Sequence, residues 1–260
     1  LRTPNTDDDP MRLQDFYVDY AWHPALRLRG GQFKLPYSYQ FILSGTRQQF
    51  NERSIANATF SPGRDIGLML HGRTFEQSLN YAVGVFNGEG QNRWDQNQRP
   101  AALAHMRWTP LGRYATEESD LEGGDLRVLT SVQSWVNHTA SDQMYWDNSL
   151  FAGLKYQGLS VQGQFFLRNG MASETANELN QWGFYGQTGY FFLKDWEAAL
   201  RVAQVSASGS SGALREYGTA LNYYIQGHHL KFQLDYTLLE EPGTASPWRH
   251  RVIGQMQLSF

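Results

Sequence analysis

The sequence predicts an all-β chain: a transmembrane antiparallel β-barrel of about 13 strands, built as one domain over residues 1–260. Three observations predict it. Apolar and polar residues alternate with a period of two almost to the last residue, the pattern of strands with one greasy face. The alternating segments run roughly 9–12 residues, the length a tilted strand needs to cross a bilayer, whereas soluble strands run about 5–6. The connections alternate between tight turns and longer loops, as in barrels of the bacterial outer membrane.

Composition sets the outer bounds. The formal net charge of −3 gives no basic footprint for nucleic acid. The absence of cysteine excludes disulfides and thiolate metal sites. No window approaches about 18 consecutive apolar residues, so no transmembrane helix is expected. The mean hydropathy of −0.54 looks soluble, but a wall that is apolar only at every second position averages to such a value. Without a charged and apolar leader, the chain reads as a mature form or a fragment.

In chain order, residues 1–10 are acidic, carry two prolines and read as a loop. Phe16, Val18, Tyr20 and Trp22 then share one face, opposite Asp15, Tyr17 and Asp19. After a turn at His23-Pro24, Leu26 and Leu28 oppose Arg27 and Arg29. Residues 36–63 carry no strand pattern and form the longest connection. A loop longer than about 12–15 residues is usually functional, and this one is expected to fold back into the lumen as a constriction. Ile66, Leu68 and Leu70 resume the alternation, followed by Leu79, Tyr81, Val83 and Val85 beyond a turn at Thr74-Phe75. Later segments repeat it: Ala104, Met106 and Trp108 against His105 and Arg107; Val128 and Val132 against Arg127, Ser131 and Gln133; Leu150 and Ala152 against Asp147 and Ser149; Val161, Phe165 and Leu167 against Gln162, Gln164 and Arg168. The last four segments oppose Leu200 to Arg201, Leu221 to Asn222, Leu234 to Asp235, and Val252 to Arg251. One connection, Thr109 to Gly124, is long on the side where turns should be short. Ser208-Gly209-Ser210-Ser211-Gly212 reads as a hairpin tip.

Aromatic residues gather near strand ends, at Trp22, Trp108, Trp146, Tyr156, Trp182, Tyr190, Phe192, Trp196, Tyr223 and Trp248. Amphipathic rings favour the membrane–water boundary. The alternating last strand ends at Phe260, like the terminal aromatic that outer-membrane assembly machinery reads.

With the apolar face outward, the inward cations are Arg27, Arg29, Arg107, Arg127, Lys155, Arg168, Arg201, Lys231, Arg249 and Arg251. They outnumber the inward carboxylates Asp15, Asp19, Asp147, Glu197, Glu216 and Asp235. Arginine outnumbers lysine 18 to 4, and a guanidinium presents a donor fork that matches phosphate oxygens. Each arginine has two readings, a brace paired with a wall carboxylate or a charge facing the solute. Their sum predicts a modest anion preference. Lys34, Arg47, Arg53 and Arg64 are the constriction candidates, countered by Glu52 and Asp65. The seven histidines are scattered, and no Ser or paired Asp is held against one at a catalytic spacing. No cofactor, metal site or enzyme activity is predicted.

The stretch from Asp15 to Gly90 resembles the phosphate-selective porin O and P family. Gly31-Gln32-Phe33-Lys34 with Pro36, Glu52-Arg53-Ser54, Phe60-Ser61-Pro62-Gly63-Arg64-Asp65-Ile66-Gly67, Leu70-His71-Gly72 and Tyr81-Ala82-Val83-Gly84-Val85-Phe86-Asn87-Gly88 carry the resemblance, with Asp15-Phe16-Tyr17-Val18-Asp19-Tyr20 before them. It implies a homotrimeric sixteen-stranded porin of Gram-negative outer membranes, embedded in lipid and passing small hydrophilic anions such as phosphate. Thirteen strands would then be this chain's share, the first three lying upstream. The alternative is a structural barrel whose missing wall is filled by, or docked to, a partner protein.

Overall fold

The computed structural model describes residues 13–95, 97–138, 143–170, 180–207, 212–243 and 246–259. The acidic segment 1–10, most of the hairpin tip at 208–212 and Phe260 lie outside them. Thirteen strands form a single antiparallel sheet in which each strand pairs with its neighbours in sequence. They are β1 (Phe16–His23), β2 (Leu26–Lys34), β3 (Arg64–Thr74), β4 (Leu79–Phe86), β5 (Ala101–Trp108), β6 (Arg127–His138), β7 (Met144–Tyr156), β8 (Leu159–Gly170), β9 (Gln181–Leu193), β10 (Trp196–Ala207), β11 (Leu214–Gln226), β12 (Leu230–Glu240) and β13 (Trp248–Leu258). β1 and β13 are the edges of this sheet. Among the described residues no helix is long and apolar enough to span a membrane.

One face of the sheet is an exposed apolar wall. Val18, Leu68, Val85, Leu150, Leu200, Leu234 and Val252 all stand exposed on it. In water such a band would be an aggregation surface, so acyl chains are its natural solvent. Aromatic rings bound it on both sides. Trp22, Trp108, Tyr156, Tyr190, Phe192 and Trp196 lie toward the tight turns, with Trp196 stacked on Tyr223 at 4.6 Å. Trp182 and Trp248 lie toward the long loops. Where β1 crosses β2, a Cβ on Gly31 would lie 2.2 Å from the Phe16 carbonyl oxygen, and its φ of +128° is open to glycine alone.

The opposite face is less uniformly polar than the alternation predicts. Trp135, Phe151, Phe166 and Tyr185 point inward and are fully buried. They are covered by the long segment after β2, which contains the helical turns α1 (Tyr39–Ile42) and α2 (Ile55–Phe60) with a 3-10 turn at Gly45–Arg47 between them. Phe33, Leu35, Tyr37, Phe60, Phe86, Trp135 and Phe166 make one cluster inside the barrel. Each such buried side chain contributes about 1.5–3 kcal/mol, enough to hold a loop without regular structure against the wall.

Candidate pore constriction

The loop is fixed to the inner wall at its backbone. Ser54 caps α2, its Oγ accepting from the Asn57 amide at 3.2 Å. The free Ile55 amide donates to Glu216 on β11 at 2.9 Å. Glu216 also pairs with Arg201 on β10 at 2.5 Å, and Arg201 donates from its Nη1 to the Glu52 carbonyl at 2.8 Å. Phe60 stacks on Phe166 with ring centroids 5.3 Å apart. Farther along the lumen, the Asn51 amide and side chain both donate to Asp235 at 2.8 Å. Gln49 reaches Glu197 at 2.5 Å and Ser160 at 2.8 Å. That approach needs Gly189, where a Cβ would lie 1.9 Å from the Gln49 amide nitrogen.

A second segment enters the lumen from the turn side. The long connection after β5 folds inward and buries Tyr114, Glu118, Ser119 and Asp120. Glu118 accepts from the Gln49 amide at 2.8 Å, from Gln187 at 2.9 Å and from Gln40 at 3.0 Å, tying this connection to the long loop after β2 and to β9. Ser119 and Tyr224 donate to Glu197 at 3.0 and 2.8 Å, and Asn222 adds a third bond at 3.0 Å. Lys155 is buried with its ammonium on the Glu117 and Ser119 carbonyls at 2.8 and 2.7 Å. Burial would push the Glu117 carboxyl up, but His228, 3.2 Å away, and the Lys155 cation hold it below its ordinary value. The length of Thr109–Gly124 was the only sequence signal for this segment. Glu118, Ser119, Tyr224 and the glutamines gave none.

The predicted wall arginines meet carboxylates. Arg27 and Arg29 both bind Asp19, at 3.1 and 2.6 Å, and His71 stands 3.2 Å from the same carboxylate. Arg127 binds Asp120 at 2.6 Å and also Glu122. Arg168 forms a two-pronged pair with Asp147 at 2.7 and 2.6 Å. Arg201 binds Glu216, and Arg251 on β13 binds Glu52 of the loop. Lys231 instead donates to the Gln48 carbonyl at 2.9 Å. Arg107 lies 3.4 Å from the Tyr114 carbonyl.

Three of the four constriction candidates come together. Lys34 and Arg64 are cross-strand partners at the loop end of β2 and β3. Lys34 and Arg53 both donate to the Leu43 carbonyl at 3.2 Å, and their cationic groups lie over the same ring, Phe41, at 5.4 and 5.3 Å from its centroid. Arg53 also donates to the Gln40 carbonyl at 2.8 Å. Of the three, only Arg64 pairs with a carboxylate, Asp15, at 3.1 Å. Burial, opposed by Glu118 and reinforced by Arg64, lowers the Arg53 pKa, yet a guanidinium stays charged. Arg47 stands apart, 3.4 Å from the Thr116 carbonyl on the second segment.

The model of the family described as phosphate-selective porin O and P matches residues 2–260. A comparison with curated protein sequences found no match. Among chains of solved structure, a BenF-like porin from Pseudomonas fluorescens Pf-5 is similar, with a TM-score of 0.57 at 12% identity. The match covers 92% of this chain and 66% of that one, so the likeness is one of fold, over about two thirds of the solved chain's length. Exposed apolar wall, aromatic borders, inward-folded loop and family match agree: this chain belongs to the phosphate-selective porin O and P family and is an integral protein of the bacterial outer membrane.

Proposed function

We propose that the chain is the wall and constriction of a passive channel for small hydrophilic anions, phosphate among them. Residues 1–260 form one barrel domain and residues 36–63 its constriction. The observation that carries this reading is the grouping of Lys34 and Arg53 around Phe41, with no carboxylate bonded to either among the described residues. Carbonyl oxygens orient both cations without cancelling them, so the loop presents net positive charge where an anion must pass. A cationic ring lowers the barrier for anions and raises it for cations. The wall arginines Arg27, Arg29, Arg127, Arg168, Arg201 and Arg251 brace the barrel through their carboxylates and add little net charge. Assembly as a homotrimer, with the wall completed to sixteen strands, belongs to the same proposal and is supported by the family membership.

Planar-bilayer recording under a salt gradient tests it. The reversal potential should favour chloride or phosphate over potassium, and Arg53→Glu should lower anion conductance. Cation preference in the unaltered protein would reject the reading.

A further inference from the structure

We infer that the periplasmic mouth holds a second anion site, separate from the constriction, in which Arg73, Arg107 and Arg113 take a phosphate-sized oxyanion. The turn between β3 and β4 and the inward-folding connection after β5 enclose a cavity of about 330 Å3 lined by these three arginines together with Ser78, Asn80 and Thr116. Their setting differs from that of the paired arginines of the wall. Arg107 has no carboxylate on it. Its Nε is shut away from solvent without an acceptor, and among the described residues its side chain has one hydrogen bond, the 3.4 Å contact to the Tyr114 carbonyl. The Arg73 backbone donates to the Pro24 carbonyl at 3.0 Å, but its guanidinium has no hydrogen bond or ion pair among the described residues. Arg113 keeps an exposed side chain with a long 3.7 Å contact to Glu122. Glu76 is the one carboxylate among the described lining residues, and with Glu122 beside Arg113 the three guanidinium groups still outnumber the carboxylates near them.

A buried donor with no acceptor is costly, and the Nε–Nη edge of a guanidinium fits two oxygens of one oxyanion. The Thr116 hydroxyl and the second N–H of the Asn80 amide can donate to the remaining oxygens, while the Ser78 hydroxyl is held on the Phe75 carbonyl at 2.7 Å. The long connection after β5, besides bracing the lumen through Glu118, carries Arg113 and Thr116 to Arg107. The site rests on the channel reading for its role, a stopping point between the constriction and the periplasm.

The test is titration calorimetry of the full-length protein in detergent with inorganic phosphate, alongside chloride conductance of the same preparations in bilayers. The unaltered protein should bind phosphate saturably. The Arg73→Gln/Arg113→Gln pair, altered at accessible positions, should weaken that binding about tenfold or more, the loss expected for charge-assisted hydrogen bonds. Arg107→Lys should weaken it while keeping the charge. No saturable binding in the unaltered protein, or unchanged binding in the Arg73/Arg113 pair, overturns the site. Binding that depends on these arginines in a preparation that conducts no chloride leaves the site standing and removes the transport reading alone.

Discussion

The barrel wall and the long inward loop treat cationic side chains in opposite ways. On the wall, Arg27, Arg29, Arg127, Arg168 and Arg201 each meet a carboxylate at 3.1 Å or less. At the loop, Lys34 and Arg53 meet carbonyl oxygens of Gln40 and Leu43. A carboxylate cancels the cation it orients, whereas a carbonyl dipole orients it and leaves the net charge in place. An arginine-rich lumen is therefore not uniformly cationic, and the partner decides whether an arginine's charge is cancelled or left in place.

The strongest way to break this comparison is to unpair a brace. Arg201 and Glu216 are both about 1% exposed, and removing one member of such a pair costs about 3–5 kcal/mol. Glu216→Leu should lower the unfolding free energy measured by denaturant in detergent by about that much, because it also strips the acceptor from the Ile55 amide that starts α2. Arg201→Met/Glu216→Leu together should be less destabilised than either single variant. Equal loss in the double would show that the pair does more than neutralise itself.

Selectivity should respond at the loop and not at an intact pair. A unit charge about 6 Å away in water is worth about 0.7 kcal/mol, roughly threefold in a permeability ratio. Arg53→Gln should shift the reversal potential toward cations by that factor. Arg127→Gln/Asp120→Asn, which removes both members of a wall pair, should leave it in place. If the two variants shift it equally, the division between bracing and acting cations fails.

The converse change sharpens the comparison. Asp19 holds two guanidinium groups on the partly open inner face of β1–β3. Asp19→Asn should release both and raise the anion preference about two- to threefold on the same scale. An unchanged reversal potential would place that face off the conduction path.

The smallest effect is one of pH. Arg64, through its hydrogen bond and charge, outweighs burial and holds the Asp15 carboxyl below its ordinary value of 3.8. A depressed carboxylate contributes its stabilisation above the unfolded value and loses it as pH falls through the folded one. The share of anion preference that comes from freeing Arg64 should appear only below pH 3.8, as Asp15 is protonated and Arg64 loses its partner. Bilayer recordings across that range check it, and a rise beginning at neutral pH would point to another group.

Much of the fold was legible in the residues. The thirteen strands, the tight turns near His23, Tyr156 and Phe192, and the aromatic borders all follow from period-two alternation and strand length. The departures occur where inward positions carry large apolar groups. Trp135, Phe151 and Phe166 look like lipid-facing residues on composition alone, yet they lie under the loop. Of the candidate site, the loop and its cations could be named, and Lys34, Arg53 and Arg64 do come together. The second inward segment could be flagged only by its length.

By itself the sequence determined which face meets lipid, how many strands this chain supplies and which connection is too long to be a turn. Those properties are local and repeat every two residues, so a few neighbours suffice to read them. Only the tertiary structure decided which cations are cancelled. Gln49 meets Glu197 across 148 positions and Asn51 meets Asp235 across 184. Curling the sheet brings such distant residues together inside the lumen, and no local period encodes that meeting.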